Sequence, residues 1–224
     1  MSPDIESLVE GLRSPDWAQC QEALVAFSLD AEGLVHAPGA LQGPMYRRLD
    51  LLRSDIRHDR RYEWLARTDE EWTGWIGSEP YDARRFCPPG DGPVFAHLIW
   101  KPQRGLWSAP FLDGSRTLWS EYLLRRQAIG SRRLRATVRS GGGPALHLPN
   151  LEAFDALQTV VRAGDGVNWS ELGLKYEAVH FSWCLVLEGI IAQLLDPTRV
   201  PPALGIGVAS TLWLRQPHAE EVGR

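Results

Sequence analysis

The residues best equipped for chemistry lie mid-chain, in Lys101-Pro102-Gln103-Arg104-Gly105-Leu106-Trp107-Ser108-Ala109-Pro110. A glycine beside a large aromatic and a serine, directly after an apolar run, can wall a pocket for a flat ring. Gly105 permits close backbone approach, Trp107 offers a stacking face, and the Ser108 hydroxyl can fix a ribose or an amide. Lys101 can contact a pyrophosphate or point outward, and Trp119 follows on a helical stretch with Glu121 and Tyr122. Packing of Trp107 into a core accounts for the same pattern. Three histidines, His97, His147 and His180, each sit inside a short apolar run. On adjoining strands and a shared face, three imidazoles can hold a divalent metal with a position open for water, which is hydrolase chemistry. Ordinary hydrogen bonds at a sheet edge are the plainer use of them. Arg125, Arg126, Arg132, Arg133, Arg135 and Arg139 concentrate positive charge. That suits phosphate or nucleic-acid contact, or a solvated face paired with the acids of segment 63–82.

Several chemistries are excluded by motif. The chain has no GxxxxGK[ST], GxSxG, HExxH or EF-hand loop. Gly205-Ile206-Gly207-Val208 precedes a strand-like run instead of joining a strand to a helix, so it reads as a tight turn and not as a dinucleotide loop. Cys20, Cys87 and Cys184 are odd in number and far apart, which argues against a disulfide framework or a cysteine zinc site and for thiols in a reducing compartment. The 224 residues carry a formal net charge of −4, so no global pull toward nucleic acid is expected. No run reaches the roughly 18 apolar residues of a membrane span. The start, Met1-Ser2-Pro3-Asp4-Ile5-Glu6, lacks the basic region and apolar core of a secretory signal. A soluble, cytoplasmic protein without membrane contact is the expectation.

Elements must position these groups, and their pattern changes along the chain. Ile5, Leu8, Val9 and Leu12 recur at helical spacing after Ser2-Pro3; Trp17, Cys20, Leu24 and Phe27 form a second stripe, and Met45, Leu49, Leu52 and Ile56 a third. Segment 62–76 is amphipathic with no element type assigned. The proline- and glycine-rich stretch 87–93 punctuates the chain. Beyond it, 94–100, 133–139, 145–148, 178–182 and 208–215 read as strands, 133–139 by its period-2 alternation. Helices are predicted over 115–127, after Asn150, after Asn168, and over 185–195 up to Asp196-Pro197. Helices first and interleaved strands later predict an α+β fold: a mainly helical region over 1–90 and a mixed sheet over 91–224, with 87–93 the candidate boundary.

Three segments, taken in order, resemble a known family. They are Lys101-Pro102-Gln103-Arg104-Gly105-Leu106-Trp107-Ser108 between a strand and the Trp119 helix, Trp169-Ser170-Glu171-Leu172 leading to Tyr176-Glu177-Ala178-Val179-His180, and Ala209-Ser210-Thr211-Leu212-Trp213. They are similar to uncharacterised phage and actinobacterial proteins that look like distant members of the ADP-ribosyltransferase superfamily. The similarity covers about 94–216. It implies a split mixed sheet clasping NAD, with ADP-ribose transferred to a protein, nucleic-acid or small-molecule acceptor and nicotinamide released. Carried over, it gives His97 the nicotinamide ribose and makes Gly105, Leu106, Trp107 and Ser108 the nicotinamide wall, with Lys101 and Trp119 as further cofactor contacts. His97, Ser108 and Glu177 become the catalytic candidates. Such chemistry needs a carboxylate beside the anomeric carbon, where positive charge grows. The expected acid in the last strand reads Ala209, and the nearest substitutes are Glu177 and Glu188. That departure keeps an alternative in play, a non-catalytic binding or interaction module on the same scaffold; the histidine-metal hydrolase is the third reading.

Overall fold

The first three apolar stripes need a surface to close on, and the sheet supplies it through one shared helix. The computed structural model describes residues 5–16, 19–20, 22–27, 43–60, 62, 73–77, 82–90, 105–111, 117–125, 133–160, 162–163, 166–196 and 209–222. Within them lie helices α1 (Ile5–Leu12), α2 (22–27), α3 (Gly43–His58), α4 (Leu118–Arg125), α5 (Leu151–Val160), α6 (Trp169–Lys175) and α7 (Trp183–Leu195). The strands are β1 (Thr73–Gly77), β2 (Leu106–Pro110), β3 (Arg133–Arg139), β4 (Ala145–Leu148), β5 (Arg162–Ala163), β6 (Gly166–Val167), β7 (Ala178–Phe181), β8 (Ser210–Trp213) and β9 (His218–Glu221). The fold is α+β, as the order of patterns predicted.

Val9, Leu12, Leu24, Phe27, Met45, Leu49, Leu52 and Ile56 from α1 to α3 form one buried cluster with Cys184, Leu187, Ile191 and Leu194 of α7. The Tyr62 hydroxyl seals it by donating to the Leu12 carbonyl at 2.9 Å. The opposite side of α7 presents Leu185, Val186 and Ala192 to the sheet. A helix covered on two sides has to be apolar nearly all round, which explains the buried apolar run Cys184–Leu187. Ser182 starts this helix by accepting from the Leu185 N–H at 3.1 Å. Asn150 and Asn168 cap α5 and α6 in the same way.

The seven-stranded sheet runs β4-β7-β8-β2-β1-β3-β9, with β4 and β7 parallel and every other neighbour pair antiparallel; β5 and β6 form a separate hairpin. Its two faces differ. Leu148, Val179, Phe181 and Leu212 pack with Phe154, Trp169 and Leu172 under the helices. On the other face, Ala136 and Val138 of β3 share a cluster with Ala178 of β7 and Trp213 of β8. In a flat sheet β3 and β7 would stand four strands, about 19 Å, apart. The sheet is therefore curled, and this second face is its concave side. The short link 140–144 between β3 and β4, which are sixth and first in the order, requires the same curl.

Two expectations change. β1 occupies the fifth place in the sheet, bonded to β2 and β3, so a division into 1–90 and 91–224 would cut a strand out of the sheet it belongs to. The last strand is β9, beyond the predicted 208–215, and it lies along β3. Among the described residues no helix is long and apolar enough to cross a membrane.

Candidate functional site

Strand register builds a polar row across the concave face. Leu106 pairs with Trp213 and Ser108 with Thr211; His180 pairs with Thr211 from the other side, and His147 with His180. Because side chains alternate along each strand, Ser108, Thr211, His180 and His147 share one face, joined by Thr73 from β1. Trp213 Nε1 donates to the Ser108 hydroxyl at 2.8 Å, the Ser108 and Thr73 hydroxyls are bonded at 2.6 Å, and Thr73 Oγ1 also lies 3.3 Å from the Val138 carbonyl. His180 Nδ1 is bonded to Thr211 Oγ1 at 2.7 Å. Ser108, Thr73 and Thr211 are buried, whereas His147 and His180 are half-buried, so the row reaches the surface at its β4–β7 end. Burial, and then the neighbouring His147, lower the His180 pKa to about 4. The imidazole at this end is neutral at pH 7.

The flat-ring wall expected over 105–108 does not assemble. Trp107 and Ser108 are consecutive on β2 and point to opposite faces. Trp107 stacks on Phe181 with ring centroids 5.6 Å apart, on the helix side. Leu106 packs with the concave cluster around Trp213. Trp119 packs with Val25, Ala109 and Ala209, also away from Ser108. Gly105 has φ +132°, and a Cβ there would stand 2.7 Å from Leu212 Cδ1, so backbone conformation and packing already require a glycine. His97 and Lys101, with the strand expected over 94–100, lie outside the described residues.

Neither substitute acid faces a cleft. Glu177, at the start of β7, is closed into the 140–143 loop: its carboxylate accepts from the Ser140 hydroxyl at 2.7 Å, Gly141 N–H at 2.6 Å and Gly143 N–H at 2.8 Å. Its backbone carbonyl takes Leu214 and Arg215, and its N–H donates to Pro144, so this residue ties β3, β4, β7 and the end of β8 together. Glu188 is fully buried on α7, bonded to Arg57 Nε and accepting from the Leu151 N–H at 2.9 Å. It pins α3 and the start of α5 to α7, and the bond raises the Arg57 pKa. One turn earlier, burial first and the Glu188 charge second push the Cys184 thiol up to about 12, which leaves it unreactive. At the position of the missing acid, Ala209 is buried among Val25, Ala109, Trp119 and Trp183.

Part of the arginine strip lies in β3, which pairs with the C-terminal strand. Across the β3–β9 ladder Thr137 faces Glu220, Ala136 faces Glu221 and Arg139 faces His218. The β1–β3 register shifts between Trp75 and Ile76, which pair with Ala136 and Leu134, so the strict alternation read over 133–139 is interrupted. The backbone of Arg125 lies in α4 and that of Arg133 and Arg135 in β3; Arg126 and Arg132 lie outside the described residues. Of the three histidines, two adjoin. Among the described residues no group of three His, Cys, Asp or Glu side chains is placed to hold a metal. No disulfide joins the three cysteines.

Thr73, Thr211 and Trp213 were not anticipated. Strand parity was the available signal for Thr211, two residues before the Trp213 that bonds Ser108. No protein-family profile, curated protein or solved structure significantly matches this chain.

Proposed function

We propose that the chain acts by binding, as a non-catalytic interaction module on an α+β scaffold, and does not turn over NAD. The observation that carries this reading is the Glu177 carboxylate, held by three donors inside its own loop. A carboxylate engaged in that way cannot approach an anomeric carbon without releasing the loop. Two further features support it. Trp107 and Ser108 serve different faces of the sheet, and the Ser108 hydroxyl is bonded to Thr73 and Trp213 and not to an imidazole. The reading puts partner contact at the half-buried β4–β7 end of the concave row, beside His147 and the neutral imidazole of His180. The chain carries a net charge of −4, so nucleic acid is not the favoured partner. Thiols without disulfides suit a reducing, cytoplasmic setting.

NAD is the discriminating reagent. Incubated with NAD, the full chain should release no nicotinamide, and Glu177→Gln should lower the melting temperature. Release of nicotinamide by the wild type, abolished by Glu177→Gln at an unchanged melting temperature, would instead establish the transferase reading with Glu177 as its acid.

A further inference from the structure

Three donors of the β3–β4 loop converge on one carboxylate. The N–H of Gly141 bonds Glu177 Oε1 at 2.6 Å, while the Ser140 hydroxyl and the N–H of Gly143 bond Oε2 at 2.7 and 2.8 Å. Between them Gly142, at φ +106°, turns the chain and donates its N–H to Ser140 Oγ at 3.0 Å. The carboxylate itself dictates the flanking glycines: a Cβ would stand 3.1 Å from Oε1 at Gly141 and 2.8 Å from Oε2 at Gly143. All three donors are neutral, and backbone N–H groups converging in this way make an anion-binding concavity.

We infer that the Ser140–Gly143 loop is a carboxylate receptor with Glu177 as its tethered ligand, and that a free small carboxylate takes the same place once the tether is cut. The ligand class follows from the donors. One bond goes to one oxygen and two to the other, a pattern for which a carboxylate has the lone pairs and a neutral amide, with a single acceptor oxygen, does not. Filling the receptor fixes two chain crossings together. Ser140 follows Arg139, the last residue of β3 and the register partner of His218 in β9. The main chain of Glu177 holds the other crossing: its carbonyl accepts from the N–H groups of Leu214 and Arg215, on the link from β8 to β9, at 2.8 and 3.1 Å. The carboxylate thus holds the β3–β4 turn against the residue that anchors the β8–β9 link. This inference rests on the loop geometry and not on the binding reading.

Acetate is the probe, because it supplies the atoms that Glu177→Ala removes. In the full chain carrying Glu177→Ala, at pH 7, sodium acetate should raise the melting temperature saturably, by about 2–4 °C over sodium chloride at equal ionic strength. It should also slow amide exchange at Gly141 and Gly143. The wild type, whose tether keeps the receptor filled, should show no such difference, and acetamide should not replace acetate. Gly141→Ala puts a methyl group against Oε1. It should lower the melting temperature of the otherwise wild-type chain, and combined with Glu177→Ala it should abolish the acetate response. No acetate response in Glu177→Ala, an equal response in the wild type, or a response that survives Gly141→Ala overturns the inference. So does a Gly141→Ala single variant that melts with the wild type, a readout that does not require Glu177→Ala to fold. Nicotinamide release by the wild type would overturn the binding reading and leave these outcomes unchanged.

Discussion

The two faces of one sheet are built on opposite rules. The helix side of the sheet is mainly hydrocarbon: Leu148, Val179, Phe181 and Leu212 interlock with Phe154 of α5 and Leu185 of α7, and Trp107 adds its ring to Phe181. The concave side mixes small apolar residues with a chain of hydroxyl, indole and imidazole groups. On the first, stability comes from area removed from water and from close fit. On the second, much of it comes from hydrogen bonds that have to be made once the groups are buried. Damage to the two faces should therefore differ in size and in kind.

The largest effect belongs to the helix side. Phe181 is buried and touches both Trp107 and Phe154, with centroids 5.6 and 6.3 Å away. Phe181→Ala should destabilise by about 3–5 kcal/mol, the range for a large aromatic removed from a core. It should show as a lowered denaturant midpoint at unchanged slope. A loss below about 1 kcal/mol would mean that this face is not the main core.

Next comes the clasp that joins the faces at the start of β7. Glu177→Ala leaves the Gly141 and Gly143 N–H groups and the Ser140 hydroxyl without their acceptor. The expected loss is about 2–4 kcal/mol, from several charge-assisted bonds in a largely buried setting. Exchange at Gly141 and Gly143 should accelerate more than in the helices. Glu177→Gln, which keeps one acceptor oxygen, should fall between wild type and Ala.

The contrast explains which parts of the fold were readable in advance. Apolar stripes at helical spacing predicted α1, α3 and α7 nearly residue by residue, because burial on one side or two leaves a periodic record. β3 left its record in alternation, interrupted where the β1–β3 register shifts. β1 did not, since Gly74 and Gly77 weaken a strand pattern. Gly74 is there for a reason outside the strand: a Cβ would stand 2.2 Å from Thr117 Cγ2 across the sheet. β9 is short, polar and at an edge, so no core imposes alternation on it. The site suffered from a related problem. Gly105, Trp107 and Ser108 are close in sequence, yet in a strand adjacency means opposite faces, and only the partners at Thr73, Thr211 and Trp213 reveal which face each one serves.

A middle-sized effect sits where the concave row meets water. His180 is held neutral by burial and by His147, at about 4 against an ordinary 6.5. Unfolding frees it to ionise, so stability should be flat above about pH 6.5 and should fall as pH drops toward 4. The loss is up to about 3 kcal/mol, at roughly 1.4 kcal/mol per unit. Urea unfolding at stepped pH measures it, and His180→Gln should flatten the slope in that window. An unchanged slope would show that other groups govern the acid limb.

The smallest effect is also the sharpest probe of the concave side. Ser108→Ala removes little volume, so cavity formation contributes little, and what remains is the bonding of two neighbours. Trp213 Nε1 loses its acceptor and Thr73 Oγ1 loses its hydroxyl partner, both in a region closed to solvent. The expected loss is about 1–2 kcal/mol. Trp213→Phe removes the indole N–H, and combining the two changes gives a double-mutant cycle. If the row is a connected network, Ser108→Ala should be less damaging in the Trp213→Phe background, because the orphaned N–H is gone, with a coupling of about 1 kcal/mol. Strict additivity would reduce the row to independent polar residues that happen to align. The concave face would then be an ordinary second core, and its open end at His147 and His180 would have nothing rigid behind it.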